Sequence, residues 1–289
     1  MRSSIALIAT CFATITTQSL SAIVPRNLDG NIANGYEAFF DTVQNTTWIA
    51  DANLFATQYN ALTVAERGPW LQSIITATPV VAGHTVTALD FTFPLVGGFT
   101  SGVMNWWGAQ AYARSATYFG TTGWRLPTMV DIGGDGCNEA YIGTDCGWNV
   151  NTANAELAYL HYVTLQLPSS SGPEGQVYPG NNFPADSPLP IPSTPNAFMT
   201  HVYSDSYWYG TEYGPDNDYA WTFRLFTGRQ DQRLKTGQFS VMRTWLVADG
   251  DVFSPVPEAS MSVLFGLGCF AFWLRGLFRR REAPGYSAA

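Results

Sequence analysis

The stretch YWYGTEYGPDNDYAWTFR, residues 207–224, gathers Trp208, Tyr209, Glu212, Tyr213, Asp218, Trp221 and Arg224. Rings mixed with charged hydrogen-bonding groups suit a sugar. Stacking on aromatic faces supplies contact area, and carboxylate or guanidinium groups make paired hydrogen bonds to neighbouring hydroxyls. A hairpin around GPDND brings these side chains to one end of a sheet, so Trp208, Glu212, Asp218, Trp221 and Arg224 are the candidate ligand-binding residues. Strand alternation also requires about half of the rings to face a core, and AWTF (220–223) filling that core is the competing reading of Trp221.

Other constellations carry less. Asp131, Asp135, Glu139 and Asp145 cluster around a glycine-rich loop, and Asp216, Asn217 and Asp218 occupy a turn. Calcium wants several such oxygens. The EF-hand spacing is missing, however, and Asp and Asn populate turns by satisfying local backbone groups. No cofactor or metal site is expected, and calcium is the one candidate cation. Arg224, Arg229, Arg233, Lys235 and Arg243 form either an anion-binding strip or a solvated hairpin surface. The chain has no G-x-S-x-G elbow, H-E-x-x-H, P-loop or dinucleotide fingerprint. His84, His161 and His201 are scattered, and no catalytic residue is predicted.

Composition narrows the function classes. The 289 residues are 46% hydrophobic and 15% aromatic, enough for a sizeable core. The net charge is −8. Setting aside the five arginines and one glutamate of the two ends leaves about −12 for the body, which repels nucleic acid phosphates and anionic lipid surfaces. Residues 1–22 have the layout of a secretory signal peptide, with cleavage after Ser21 or Ala22. In an oxidising compartment Cys137 and Cys146, nine positions apart, read as a local disulfide.

The elements that position these groups follow from periodicity. A short helix is expected after Asp51, and alternation in HTVTALDFTF suggests a strand within 79–93. Asn105 caps a helix that puts Trp106, Ala109, Tyr112 and Ala113 on one face. Asn151 or Thr152 caps a second helix, along which Leu157, Leu160, His161 and Thr164 recur. The segment 168–200 holds eight of the seventeen prolines and reads as a long surface loop. SYWYGTEY, DYAWTFRLF and FSVMRTWLV then read as an antiparallel meander, with the TGRQ turn region before the last. Early helices and late strands predict an α+β domain.

Four segments carry a resemblance. GWRLPT (123–128), YWYGT (207–211), AWTF (220–223) and WLVADGD (245–251) resemble the bacterial Lcl C-terminal-like domain of unknown function. The likeness covers about 41–251, apart from 61–99. It implies a fold similar to C-type-lectin-like and formylglycine-generating-enzyme-like domains, and some members resemble polysaccharide-binding adhesins. Ala248 replaces the arginine usual before the last glycine-aspartate pair, so any anion contact made there is not implied here. The looped Cys137 and Cys146 do not match the reactive cysteine pair of the generating-enzyme branch.

The carboxyl end resembles a second family, the PEP-CTERM sorting signal that an exosortase processes. Pro257 and Glu258 match the short motif, with Ala259 in place of its second proline. An apolar span follows at about 261–278, then Arg279, Arg280 and Arg281. Eighteen helical residues reach roughly 27 Å, enough for a thin hydrocarbon core with Arg275 snorkelling. The arginines place the domain outside the inner membrane. The expected organisation is a signal peptide (1–22), one domain (23–251) and a sorting signal with a transmembrane helix (252–289). Its expected localisation is the inner membrane before processing, then the cell envelope or matrix. Its expected partners are an exosortase-type enzyme and extracellular polysaccharide, bound without catalysis. The alternatives are an enzyme acting on envelope glycans or proteins through acids such as Glu212 and Asp218, and a self-associating structural component of a biofilm.

Overall fold

The computed structural model describes residues 23–91, 100–132, 136–178, 199–236 and 242–253. Its first half holds β1 (Ile23–Arg26), β2 (Ala38–Asp41), β3 (Thr46–Ile49), α1 (Leu54–Ala61), α2 (Val64–Ala77), β4 (Val80–Val81), β5 (His84–Thr85) and α3 (Trp106–Ser115). Its second half holds β6 (Glu139–Ala140), β7 (Cys146–Trp148), α4 (Glu156–Tyr159), β8 (Ser206–Glu212), β9 (Tyr219–Arg224), β10 (Arg229–Leu234) and β11 (Val247–Asp249). Helices with mainly antiparallel sheets make the fold α+β. Among the described residues no helix is long and apolar enough to cross a membrane. The predicted signal segment, the span 261–278, Pro257, Glu258, Arg279, Arg280, Arg281 and residues 179–198 of the proline-rich loop lie outside the described residues.

The first sheet runs β1-β2-β3-β11, so the last described strand closes beside the third. Arg26 and Asp251 fasten the two ends with bonds of 2.6 and 2.8 Å. The second sheet runs β6-β7-β10-β9-β8, with only β6 and β7 parallel. Both faces of its β8–β9 pair are buried. Tyr207, Tyr209, Trp221 and Phe223 join one core with Phe39, Trp48 and Trp245. Trp208 and Ala220 join the other, with Phe55, Trp106, Tyr112 and Trp124. The period-two geometry of a strand divides neighbouring rings between two cores in this way.

Capping fixes the helix starts. At α3 the Asn105 side-chain oxygen accepts the Gly108 N–H at 3.0 Å, as the sequence predicts. A Cβ at Gly108 would come within 2.3 Å of the Asp90 carbonyl, so this helix packs too closely for any other residue there. At α2 Glu66 accepts the Thr63 N–H at 2.8 Å.

Three expectations are corrected. The strand within 79–93 is a two-residue β4–β5 ladder followed by a 3-10 turn at Ala88–Asp90. The Asp90 carboxylate accepts the Thr87 N–H at 2.7 Å and stops the extension. The helix expected within 151–167 is instead a 3-10 turn at Thr152–Asn154, then α4 and a π turn at Leu160–Thr164. The third meander strand is RQDQRL, β10, read from sequence as part of a turn region. The FSVMRTWLV segment instead ends in β11, which pairs with β3 in the other sheet.

Candidate functional site

The meander does not assemble the predicted sugar site. Trp208 and Trp221 are both fully buried. Trp208 sits opposite Thr222 in the β8–β9 register, one residue out of phase with Trp221, so the two indoles enter different cores. The Trp208 ring N–H donates to the Met104 carbonyl at 2.9 Å. Arg224 binds the buried Asp231 at 2.8 Å, and half-exposed Glu212 pairs with Lys235. Asp218 stays in the turn, where its backbone N–H donates to Asp216 Oδ1 at 3.0 Å. The basic strip is likewise committed. Arg224 and Arg233 converge on Asp231, Arg229 binds Glu139 at 2.9 Å, and Arg243 lies 3.2 Å from Asp205.

The motif segments prove to be ties between elements. A bulge in β8 between Trp208 and Glu212 lets the Gly210 N–H donate to the Pro127 carbonyl at 2.7 Å. Thr211 Oγ1 accepts the Met129 N–H at 3.1 Å and donates to the Met129 carbonyl at 3.0 Å. Trp245 donates to the Ile49 carbonyl at 2.7 Å. The Gly210 and Thr211 bonds hold the WRLPT and YWYGT stretches against each other, and the Trp245 bond ties WLVADGD to β3.

Cys137 and Cys146 are disulfide-bonded, with Cα atoms 5.0 Å apart. Of the acids around them, Glu139 pairs with Arg229 and Asp135 lies outside the described residues. Burial and the neighbouring Asp131 push the Asp145 carboxyl above its usual range. Among the described residues no group of three or more His, Cys, Asp or Glu is placed to hold a metal ion.

Two cavities adjoin the Thr200–His201 segment, Thr200 lining one and His201 the other. Two backbone bonds, of 2.9 and 3.0 Å, lay Thr200 against Ala50 and Ala52. The first cavity, of about 440 Å³, is lined by Tyr36, Glu37, Asp51, Tyr118, Phe119 and Thr200, among others. Tyr36 is 41% exposed and Phe119 50%. Phe119 has φ +47° and Gly120 +78°, and Tyr118 and Thr121 exchange two 2.9 Å backbone bonds across them. This is a two-residue hairpin turn with both central residues left-handed, where Asn-Gly is the favoured pair. A bulky ring at such a position is a genuine outlier. Beneath it, burial first, then Asp51, Glu37 and Asp29, push the Tyr118 phenol up to about 12.

The second cavity, of about 500 Å³, is lined by Asn53, Asn60, Ser101, His201, Tyr203 and Arg243, with further residues. His201 Nδ1 lies 3.0 Å from Asp51 Oδ1, and Thr57 donates to Asp51 Oδ2 at 2.5 Å. His201 is also left-handed, at φ +52°. The Arg243 guanidinium is buried over the Tyr203 ring, 4.1 Å from its centre.

Sequence reasoning missed both cavities. Tyr36, Asp51, Phe119 and His201 come from four distant segments, and no spacing rule joins them. The nearest signal was a phenylalanine before Gly120 in a tight turn. Compared with protein-family models, with curated proteins and with solved structures, the chain matches none.

Proposed function

We propose that this protein is exported, is envelope- or matrix-associated, and binds extracellular polysaccharide without turning it over. The sugar site in this reading is the cleft under Tyr36 and Phe119. One observation carries it: the Phe119 ring stands half-exposed at the cavity rim from a backbone position that disfavours it. Left-handed strain in a bulky residue costs on the order of 1–3 kcal/mol and collects at ligand-binding sites. Aromatic rims over hydrogen-bonding floors are what sugar sites use, and Glu37 and Tyr118 supply such a floor. The lectin-like assignment of the domain and its release by an exosortase-type enzyme belong to the same proposal and rest on the sequence motifs. The full-length chain in detergent micelles, applied to a glycan array and then to calorimetry, tests it. Retention of a glycan that Phe119→Ala abolishes is the expected result. No retention of any glycan would overturn it.

A second reading has its own observation. The Asp51–His201 pair fixes one imidazole nitrogen on a carboxylate at the edge of a polar cavity, as a general base requires. That arrangement favours the enzyme alternative. Product release from a retained glycan, lost in His201→Gln, distinguishes it from binding alone.

A further inference from the structure

We infer that the sugar taken by the Tyr36–Phe119 cleft carries a free amine, as in a polymer of de-acetylated amino sugar. This rests on the sugar reading of the same cleft. The charges around the cleft point one way. Its described lining residues include two carboxylates, Glu37 and Asp51, and no lysine or arginine. A third carboxylate, Asp29, acts with them on the Tyr118 phenol. Glu37 Oε2 accepts the Leu28 N–H at 2.7 Å, a neutral donor that leaves its charge in place. Asp51 is faced by His201, which lines the neighbouring cavity and is charged only when protonated. A concave surface with one sign of charge concentrates its field on whatever enters.

The rings point the same way. The faces of Tyr36 and Phe119 attract ammonium groups through the ring quadrupole and accept the C–H face of a pyranose by stacking. A protonated amino sugar uses both the rings and the carboxylates. An acidic uronate stacks equally well but is repelled by Glu37 and Asp51 and by the net negative body. An N-acetylated sugar keeps the stacking and gives the carboxylates no counter-charge. A lysine-rich peptide shares the amine and lacks the pyranose face.

Calorimetry on the full-length chain in neutral detergent tests this with four probes: glucosamine tetramer, N-acetylglucosamine tetramer, galacturonate tetramer and tetralysine. The glucosamine tetramer is expected to bind at least tenfold more tightly than the acetylated one, with a preference that shrinks as salt rises. Glu37→Gln should shrink that preference at least threefold, and Tyr36→Ala should weaken both sugars, the glucosamine tetramer more because it also loses the ring–ammonium contact. Asp29→Asn, in an exposed loop, lowers the same negative charge without touching the Leu28 contact, and so reads the charge if Glu37→Gln fails to fold. Equal binding of the two glucosamine tetramers, or tighter galacturonate, would overturn the inference while leaving the sugar reading standing. Tetralysine binding as tightly as the amino sugar would overturn it in favour of a peptide. Silence from all four probes would overturn it together with the sugar reading.

Discussion

Arg125 holds Glu156 through two parallel bonds of 2.8 Å each, joining the WRLPT segment to the first turn of α4. Glu156 also accepts the Thr128 N–H at 2.6 Å, so one carboxylate fixes both the side chain and the backbone of that segment. Exposed Asp249 adds a third contact at 2.5 Å, and exposed pairs contribute little. Arg125→Ala is expected to destabilise the domain by about 2 kcal/mol, the scale of a paired, partly buried guanidinium. That corresponds to a thermal midpoint lower by about 4–8 °C. Arg125→Lys should recover less than half of it, because an ammonium cannot serve both carboxylate oxygens in one plane. Thermal melts of the two variants check this.

The disulfide stabilises through the loop it closes. Residues 137–146 span nine positions, and constraining so short a loop in the unfolded chain contributes about 2–3 kcal/mol. Replacing both cysteines by serine should therefore lower the midpoint by several degrees. Reductant should lower the parent's midpoint and leave the variant's unchanged. Unreduced peptide mapping of protein purified from its native source should show the 137–146 crosslink; two free thiols there would contradict it.

His161 makes the fold acid-sensitive. It is fully buried, edge-on to Tyr162 and Phe223 with ring centres 4.6 and 5.3 Å away, and Nε2 donates to the Pro168 carbonyl at 3.4 Å. Burial pushes its pKa down to about 3. Because the folded value lies below the unfolded value of 6.5, the unfolded chain binds the extra proton first. Stability from this residue is complete above pH 6.5 and is lost as pH falls from there towards 3. Between pH 7 and 4.5 the loss is about 2–3 kcal/mol. Burial raises the Asp231 carboxyl, which contributes with the opposite sign and gains stability as pH falls. Urea melts at the two pH values should show a smaller acid loss in His161→Gln than in the parent.

Legibility in the sequence followed the physics of each element. β8 was readable because it is dense in rings, β9 because its rings alternate, and the Asn105 cap because asparagine at an N-cap has a local signature. β10 was not, because RQDQRL looks like exposed loop. Gln230 and Asp231 are nevertheless buried, since Gln230 donates to the Asp145 carbonyl at 2.6 Å and Thr222 Oγ1 donates to Asp231 Oδ1 at 2.8 Å. Composition cannot distinguish a satisfied buried polar group from a solvated one. The two cavities beside Thr200–His201 were hidden for a different reason: each is lined by segments distant in sequence.

Arg224, read from sequence as a sugar contact, is expected to behave as a structural residue. Asp231 Oδ2 takes Arg224 at 2.8 Å and Arg233 at 2.9 Å while almost wholly buried. Arg224→Ala leaves that carboxylate with one fewer counter-charge and should cost about 1–3 kcal/mol. The double variant with Asp231→Asn should recover part of the loss, because the charge that needed the partner is gone. A midpoint unchanged in Arg224→Ala would show that Arg233 at 2.9 Å and Arg229 at 3.8 Å suffice.

Phe119 offers the sharpest separation of folding from binding. Its φ of +47° in a two-residue turn with Gly120 is the position that asparagine fills at least cost. Its ring is half-exposed beside Tyr118, 4.6 Å between ring centres, and no described core group contains it. Phe119→Asn should therefore relieve left-handed strain and stabilise the domain by about 1 kcal/mol. The same change removes the ring from the rim of the cleft. Higher thermal stability with lost glycan retention is the expected joint outcome, measured by melts and calorimetry on one preparation. A variant that is more stable and still binds normally would show that the ring stands at the rim for another reason. A variant that is less stable would show that the ring is held by packing, and the strain argument for the cleft would fall with it.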